Sequence, residues 1–200
     1  MKIIKFFRNF IGACITLSVL SGCQSDPRFT QGVFSPNSLN RNNSAEVKSA
    51  TEVEVDRFSK STKFKGPEIE RRIGGYPFYG DHGETIFIRA WKYNDGSVSY
   101  QIYVSDTYAY AWRFYDRASD SSGNPLEFRR INSDVKCERG HCSYTEDFGL
   151  SVSRSYLDKK RATGVEFRVY GSGGEGTFNL PAGYVSGFLD AVDEALRGQR

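Results

Sequence analysis

The stretch Glu84-Thr85-Ile86-Phe87-Ile88-Arg89-Ala90-Trp91-Lys92-Tyr93, Asn94-Asp95-Gly96, Ser97-Val98-Ser99-Tyr100-Gln101-Ile102-Tyr103-Val104-Ser105 decides the fold. Two period-2 runs flank a turn whose Gly96 can take the positive φ that hairpin loops require. A three-residue loop with Gly96 in a bulge puts Ile86, Ile88 and Ala90 on one face with Tyr100, Ile102 and Val104. A two-residue Asp-Gly turn would instead set Arg89 opposite Ile102, so burial selects the longer loop and with it the register.

Working outward, further strands are predicted at Tyr110 to Asp116, Leu126 to Val135, Ser143 to Ser153 and Val165 to Tyr170, with a short one near Thr177 to Asn179. After Pro181 the spacing changes. Tyr184, Val185, Phe188, Leu189, Val192, Ala195 and Leu196 recur at helical intervals, with Asp190, Asp193 and Glu194 on the opposite side. Such a stripe covers one face of an antiparallel sheet, so the expected class is α+β with one C-terminal amphipathic helix packed on the sheet. Residues 67–200 are read as that single domain.

The chain has 200 residues, of which 38% are hydrophobic, enough for one core. Its formal charge is +3, but Lys2, Lys5 and Arg8 fall in a leader-like segment. Taking these three from the 27 basic residues leaves 24, equal to the 24 acidic ones. A neutral remainder excludes nucleic-acid binding driven by bulk charge.

The leader has a positive start, an apolar run from Phe10 to Val19, about half of what crosses a bilayer, and then small residues. It ends Leu20-Ser21-Gly22-Cys23, and here the chain resembles bacterial lipoprotein precursors, whose lipobox has Leu, two small residues and the acylated Cys. The resemblance implies cleavage of residues 1–22 as a signal peptide, a diacylglycerol thioether on Cys23 and palmitate-type N-acylation of the new terminus. Several acyl chains, each contributing ~0.8 kcal/mol per buried CH₂, give a stable membrane anchor. Gln24 stands where lipoproteins kept in the inner membrane commonly carry Asp, so the family rule points to the outer membrane, facing the periplasm.

Residues 23–66 are poor in aromatics, and Ser and Asn crowd positions 35 to 49. They are read as a lipidated N-terminus and tether with an r.m.s. span of roughly 35 Å, although Val53 and Val55 alternate as a strand would. With Cys14 lost and Cys23 acylated, Cys137 and Cys142 remain. A four-residue loop between two strands brings such a pair to bonding distance, and the periplasm is oxidising, so a hairpin disulfide is expected. A metal site on Cys137, His141 and Cys142 would need a distant fourth ligand, and His82 is the only other histidine. No metal and no cofactor is expected.

Other motifs dissolve on inspection. Gly171-Ser172-Gly173-Gly174-Glu175-Gly176 matches a dinucleotide pattern, but no helix follows to supply the N–H groups a pyrophosphate needs, so it reads as a turn between strands. Ser133 and Lys136 have penicillin-binding spacing on a strand, where positions three apart face opposite ways. Glu146 and Asp147 also point apart and cannot form a glycosidase pair. Tyr108, Tyr110, Trp112 and Phe114 alternate, which puts four rings on one strand face, read as buried beneath the helix rather than as a ligand platform. Tyr76, Phe78 and Tyr79 lie in a Gly-rich loop and are the candidate partner-binding residues.

These observations point to a noncatalytic binding or accessory module of the cell envelope, with an envelope protein or peptidoglycan as partner. The alternatives are an immunity or inhibitor lipoprotein against an envelope-acting toxin, and an envelope hydrolase. No residue is assigned a catalytic role.

Overall fold

The computed structural model describes residues 39–72, 82–138 and 140–198. The lipobox, Cys23, and the loop residues Tyr76, Phe78 and Tyr79 lie outside the described residues.

Strands β4 (Gly83–Lys92) and β5 (Val98–Ala109) form the predicted hairpin. Ile86 pairs with Val104, Ile88 with Ile102 and Ala90 with Tyr100, and all six are buried. Tyr93 N–H donates to Ser97 O at 2.9 Å and Gly96 N–H to Tyr93 O at 3.0 Å, closing a three-residue loop with Gly96 at φ +83°. The register follows from burial: a slip by one residue would bury Arg89 and expose the isoleucines.

Around this hairpin lie α1 (Ser44–Ala50), β1 (Glu52–Asp56), β2 (Ser61–Lys65) and β3 (Ile69–Arg72). Then follow β6 (Tyr115–Asp120), β7 (Pro125–Glu138), β8 (His141–Val152), α2 (Arg154–Lys159), β9 (Val165–Gly171), β10 (Gly174–Leu180) and α3 (Ala182–Gly198). The strands run in the order β1-β2-β4-β5-β8-β7-β6-β9-β10, all antiparallel, with β3 also on β4. The β6–β7 link is only two residue pairs long, at Ala118↔Leu126 and Ser119↔Pro125. There the sheet curls, and Phe178 of β10 packs edge-on against Phe148 of β8 at 5.8 Å between ring centroids. Strand dominates, and the helical share is compatible with an α+β class.

Helix α3 supplies the remaining wall of the core. Tyr184, Val185, Phe188, Leu189 and Val192 are fully buried, as their spacing predicts. The Tyr184 hydroxyl donates to Pro67 O at 2.8 Å and accepts from Ile88 N–H at 3.3 Å, tying helix to sheet. The carboxylates on its other side are not left to water alone: Arg154 grips Asp193 with two N–H groups at 2.6 and 2.8 Å, and Arg161 reaches Asp190 at 2.7 Å.

Two expectations are corrected. The segment 23–66, read as a tether, carries α1, β1 and β2 in its C-terminal half. Asn43 caps α1 by accepting from Ala45 N–H at 3.0 Å, Val47 is fully buried, Lys48 pairs with Glu194 of α3, and Phe64 of β2 is in the core. Composition misleads because a short capped helix needs only one apolar residue facing the core. The second correction concerns the predicted strand from Tyr110 to Asp116: β5 ends at Ala109, β6 starts at Tyr115, and the residues between form a crossover.

Ile102 sits at the centre of the hairpin face, so Ile102→Ala should cost about 2–5 kcal/mol of unfolding free energy. Gly96→Ala touches nothing within 4 Å but forces φ +83° on an L residue, so its cost should be about 1 kcal/mol. Paired urea melts check both, and a larger loss for Gly96→Ala than for Ile102→Ala would refute this account of the hairpin.

Candidate functional site: the aromatic crossover

Residues 110–114 carry the chain from the large sheet to its curled second part. Tyr110 at φ 82° and Phe114 at φ 54° both lie in the left-handed region. There an L side chain is disfavoured by roughly 1–2 kcal/mol per residue. Both side chains also face water, Tyr110 at 78% exposure and Phe114 at 49%. Between them, Trp112 packs edge-on against Tyr144 of β8 at 5.0 Å and lies 6.2 Å from the Phe114 ring. Val135, opposite Tyr144 on β7 and 46% exposed, extends the apolar surface. The four alternating rings are therefore not one buried strand face. Tyr108 alone of the four is in the core.

A buried polar network holds the crossover. Asp106 of β5 and Glu146 of β8 are cross-strand partners, 6% and 3% exposed. Glu146 accepts the Tyr108 hydroxyl on one oxygen and Tyr115 N–H at 3.1 Å on the other. Asp106 accepts the Tyr115 hydroxyl at 2.8 Å and the Arg113 guanidinium at 2.9 Å. Arg113 N–H in turn donates to the Tyr108 hydroxyl at 3.0 Å, and its guanidinium stands 4.2 Å from the centroid of that ring. Burial pushes the Asp106 carboxyl above its usual range, against the opposing pull of the Tyr115 hydroxyl and Arg113. Burial also raises the Tyr108 and Tyr115 hydroxyls, so both donate as neutral phenols.

From the other side, the glycine-rich turn receives the crossover. Gly171 and Gly174 pair across the β9–β10 hairpin, as the turn reading predicts, and Gly173 N–H donates to Arg113 O at 2.9 Å. A Cβ on Gly171 would collide with the carbonyl oxygens of Arg113 and Phe114, and one on Gly173 with that of Trp112. The glycines that mimic a phosphate loop are thus required by close backbone approach.

The remaining sequence candidates sort as follows. Cys137 and Cys142 are disulfide-bonded across β7 and β8, clasping the end of a hairpin on which residues 131–138 are all exposed. Glu146 and Asp147 point to opposite faces, Glu146 into the network and Asp147 toward Asn132. Ser133 and Lys136 are exposed on β7. Among the described residues, no group of three His, Cys, Asp or Glu side chains is arranged to hold a metal ion. Sequence reading missed the Asp106–Glu146 pair, because 40 residues separate two carboxylates that only strand pairing brings together. Chemically, both Glu146 oxygens and Asp106 Oδ2 are committed to holding Tyr108, Arg113 and Tyr115, so the network acts as a strut. What it presents is a rigid aromatic surface.

No family model, curated protein or solved structure matches the chain, so this reading rests on the site's own geometry. Two outcomes test it. A carboxyl whose folded-state pKa is raised contributes stability that is present below its ordinary value and lost as pH rises through the folded value. The stability that the wild type holds over Asp106→Asn should therefore shrink as pH rises above the ordinary carboxylate value of about 4; thermal melts at a series of pH values check the sign. Tyr110→Gly removes left-handed strain and little buried surface, so stability should stay level or rise by up to about 1 kcal/mol. A loss larger than that would make Tyr110 a structural residue.

Proposed function

We propose that this chain is a noncatalytic binding module of the cell envelope, held by a lipid anchor on Cys23 at the periplasmic side of the outer membrane. Its partner is another envelope protein, engaged through the aromatic crossover. One observation carries the binding role: two solvent-facing aromatic residues are kept in unfavourable backbone conformations by a buried network and two glycines. Strain of this kind persists only where the surroundings over-determine it, and it clusters at functional sites. Solvent-facing Tyr, Trp and Phe side chains on a fixed backbone bury large area at low entropic cost, which is what the anchors of a protein interface need. The anchor rests on Leu20-Ser21-Gly22-Cys23 and Gln24. Among the described residues no helix is long and apolar enough to cross a membrane.

The immunity or inhibitor reading is supported by a separate feature, the exposed β7–β8 hairpin with its Cys137–Cys142 clasp, which suits insertion into a partner's cleft.

Cys23→Ala should leave an uncleaved precursor that no longer takes up labelled palmitate; unchanged labelling would reject the anchor. For the interface, in-cell crosslinking of the wild type is compared with Tyr110→Ser combined with Phe114→Ser. Capture should drop at least tenfold while the melting temperature holds. Undiminished capture would remove the crossover from the interface, and transfer of the loss to changes at Lys136 and Glu138 would favour the inhibitor reading.

A further inference from the structure

The face of the large sheet turned away from the core carries its own chemistry. On β4 the residues alternating with Ile86, Ile88 and Ala90 are Phe87, Arg89 and Trp91; their neighbours on β5 are Tyr103, Gln101 and Ser99. Cavities of about 610 and 390 Å³ open on this face, and Arg89 and Trp91 line both.

Arg89 is held as a fork. Its guanidinium lies 5.0 Å from the Trp91 ring centroid and 4.8 Å from that of Tyr103. Nε donates to Gln101 Oε1 at 2.9 Å, and Nη2 shares the same acceptor. Among the described residues, Nη1 has no acceptor and no carboxylate stands within ion-pair distance. The Gln101 side chain, only 9% exposed, lies over Gly149 of β8, where a Cβ would collide with its amide group. A glycine thus clears the floor, the amide fills it, and the amide aims the guanidinium. A half-buried cation without a counter-ion is unfavourable by itself and is set to receive an anion. The larger cavity contains a second guanidinium, Arg129 of β7, which likewise has no carboxylate partner among the described residues, together with Glu127, Ser99, Ser151 and the exposed ring of Tyr93.

We propose that this face is a binding site for a carboxylate-bearing saccharide, with the Arg89 fork on a sugar carboxylate and the Trp91 and Tyr93 rings along the pyranose faces. Two observations select a saccharide over an acidic peptide. The N–H and C=O groups of a central sheet face are spent in the ladder on both sides, so an extended peptide finds no main-chain partners there. Serine hydroxyls and aromatic rings instead match the hydroxyls and C–H faces of a sugar. The attraction is local: Arg89 and Arg129 outnumber Glu127 in the larger cavity, Arg89, Lys63 and Lys65 outnumber Glu52 and Glu54 in the smaller, and no net basic charge on the chain is needed. The site is separate from the crossover and requires neither the anchor nor a protein partner.

The test is calorimetric titration of the full chain with a hexasaccharide of alternating glucuronate and N-acetylglucosamine. Neutral chitohexaose and hexaglutamate serve as comparisons. The acidic hexasaccharide should bind at least tenfold more tightly than either, and more weakly as salt is added. Arg89→Gln should weaken it at least tenfold, and Arg89→Lys should fail to restore it, because an ammonium lacks the fork. Arg129→Gln, at an exposed position, should weaken it severalfold with the melting temperature unchanged, which answers the question even if the Arg89 variants unfold. Equal binding of chitohexaose, tighter binding of hexaglutamate, no binding of the acidic hexasaccharide at millimolar concentration, or full affinity in a folded Arg89→Gln or Arg129→Gln variant would overturn the proposal.

Discussion

Glu146 accepts the Tyr108 hydroxyl with one oxygen and Tyr115 N–H with the other, and through that carboxylate the second half of the protein is placed against the first. Strand β6 begins at Tyr115, and only two residue pairs join it to β7, too few to orient β6, β9 and β10 unaided. The ring of Tyr115 packs edge-on against Phe148 at 5.5 Å, and Phe148 in turn meets Phe178. The polar latch and the aromatic contacts across the curled sheet therefore share residues, and displacing Tyr115 would disturb both. Buried carboxylates are tolerated here because the network satisfies them; leaving one unpaired would be strongly destabilising.

The same constraint explains why the crossover is strained and aromatic at once. The chain must leave β5 at Ala109 and re-enter at Tyr115 with its amide on Glu146, and the bend falls on Tyr110 and Phe114. Glycine at either position would relax the backbone and remove the ring. Rings stand where glycine would be easier, and the proposed interface rests on that feature.

The two sides of the central strands perform different tasks, and alternation separates them. Glu84, Asp106 and Glu146 form a row of carboxylates at one end of the core-facing side, where burial raises the Glu84 and Asp106 carboxyls. Neighbouring residues on the same strands, Thr85, Ser105 and Asp147, face outward toward the side that carries Arg89. A one-residue slip would exchange the two sets, so the register that buries Ile88 and Ile102 also determines which charges are latched inside and which are offered to solvent.

Local chemistry made much of this legible. The turn at Asn94-Asp95-Gly96, the alternation of Ile86 to Val104, the helical stripe after Pro181 and the four-residue spacing of Cys137 and Cys142 each report on residues close in the chain, where period and loop geometry leave few choices. Where a contact spans the chain, local pattern fails. The alternation of Tyr108 to Phe114 continues past the end of the strand, since pairing with β8 stops at Ala109 and no local signal marks it. Val47 and Phe64 sit in a polar stretch, and only α3 and the sheet reveal them as core. Asp106 and Glu146, or Arg89, Gln101 and Gly149, become neighbours through strand order alone. Sequence by itself determined the central hairpin, its facing and the C-terminal helix, because these depend on backbone period and residue type. Tertiary structure decided which carboxylates are buried together, which rings are exposed and which guanidiniums have no carboxylate beside them among the described residues, because each depends on strands distant in sequence lying side by side.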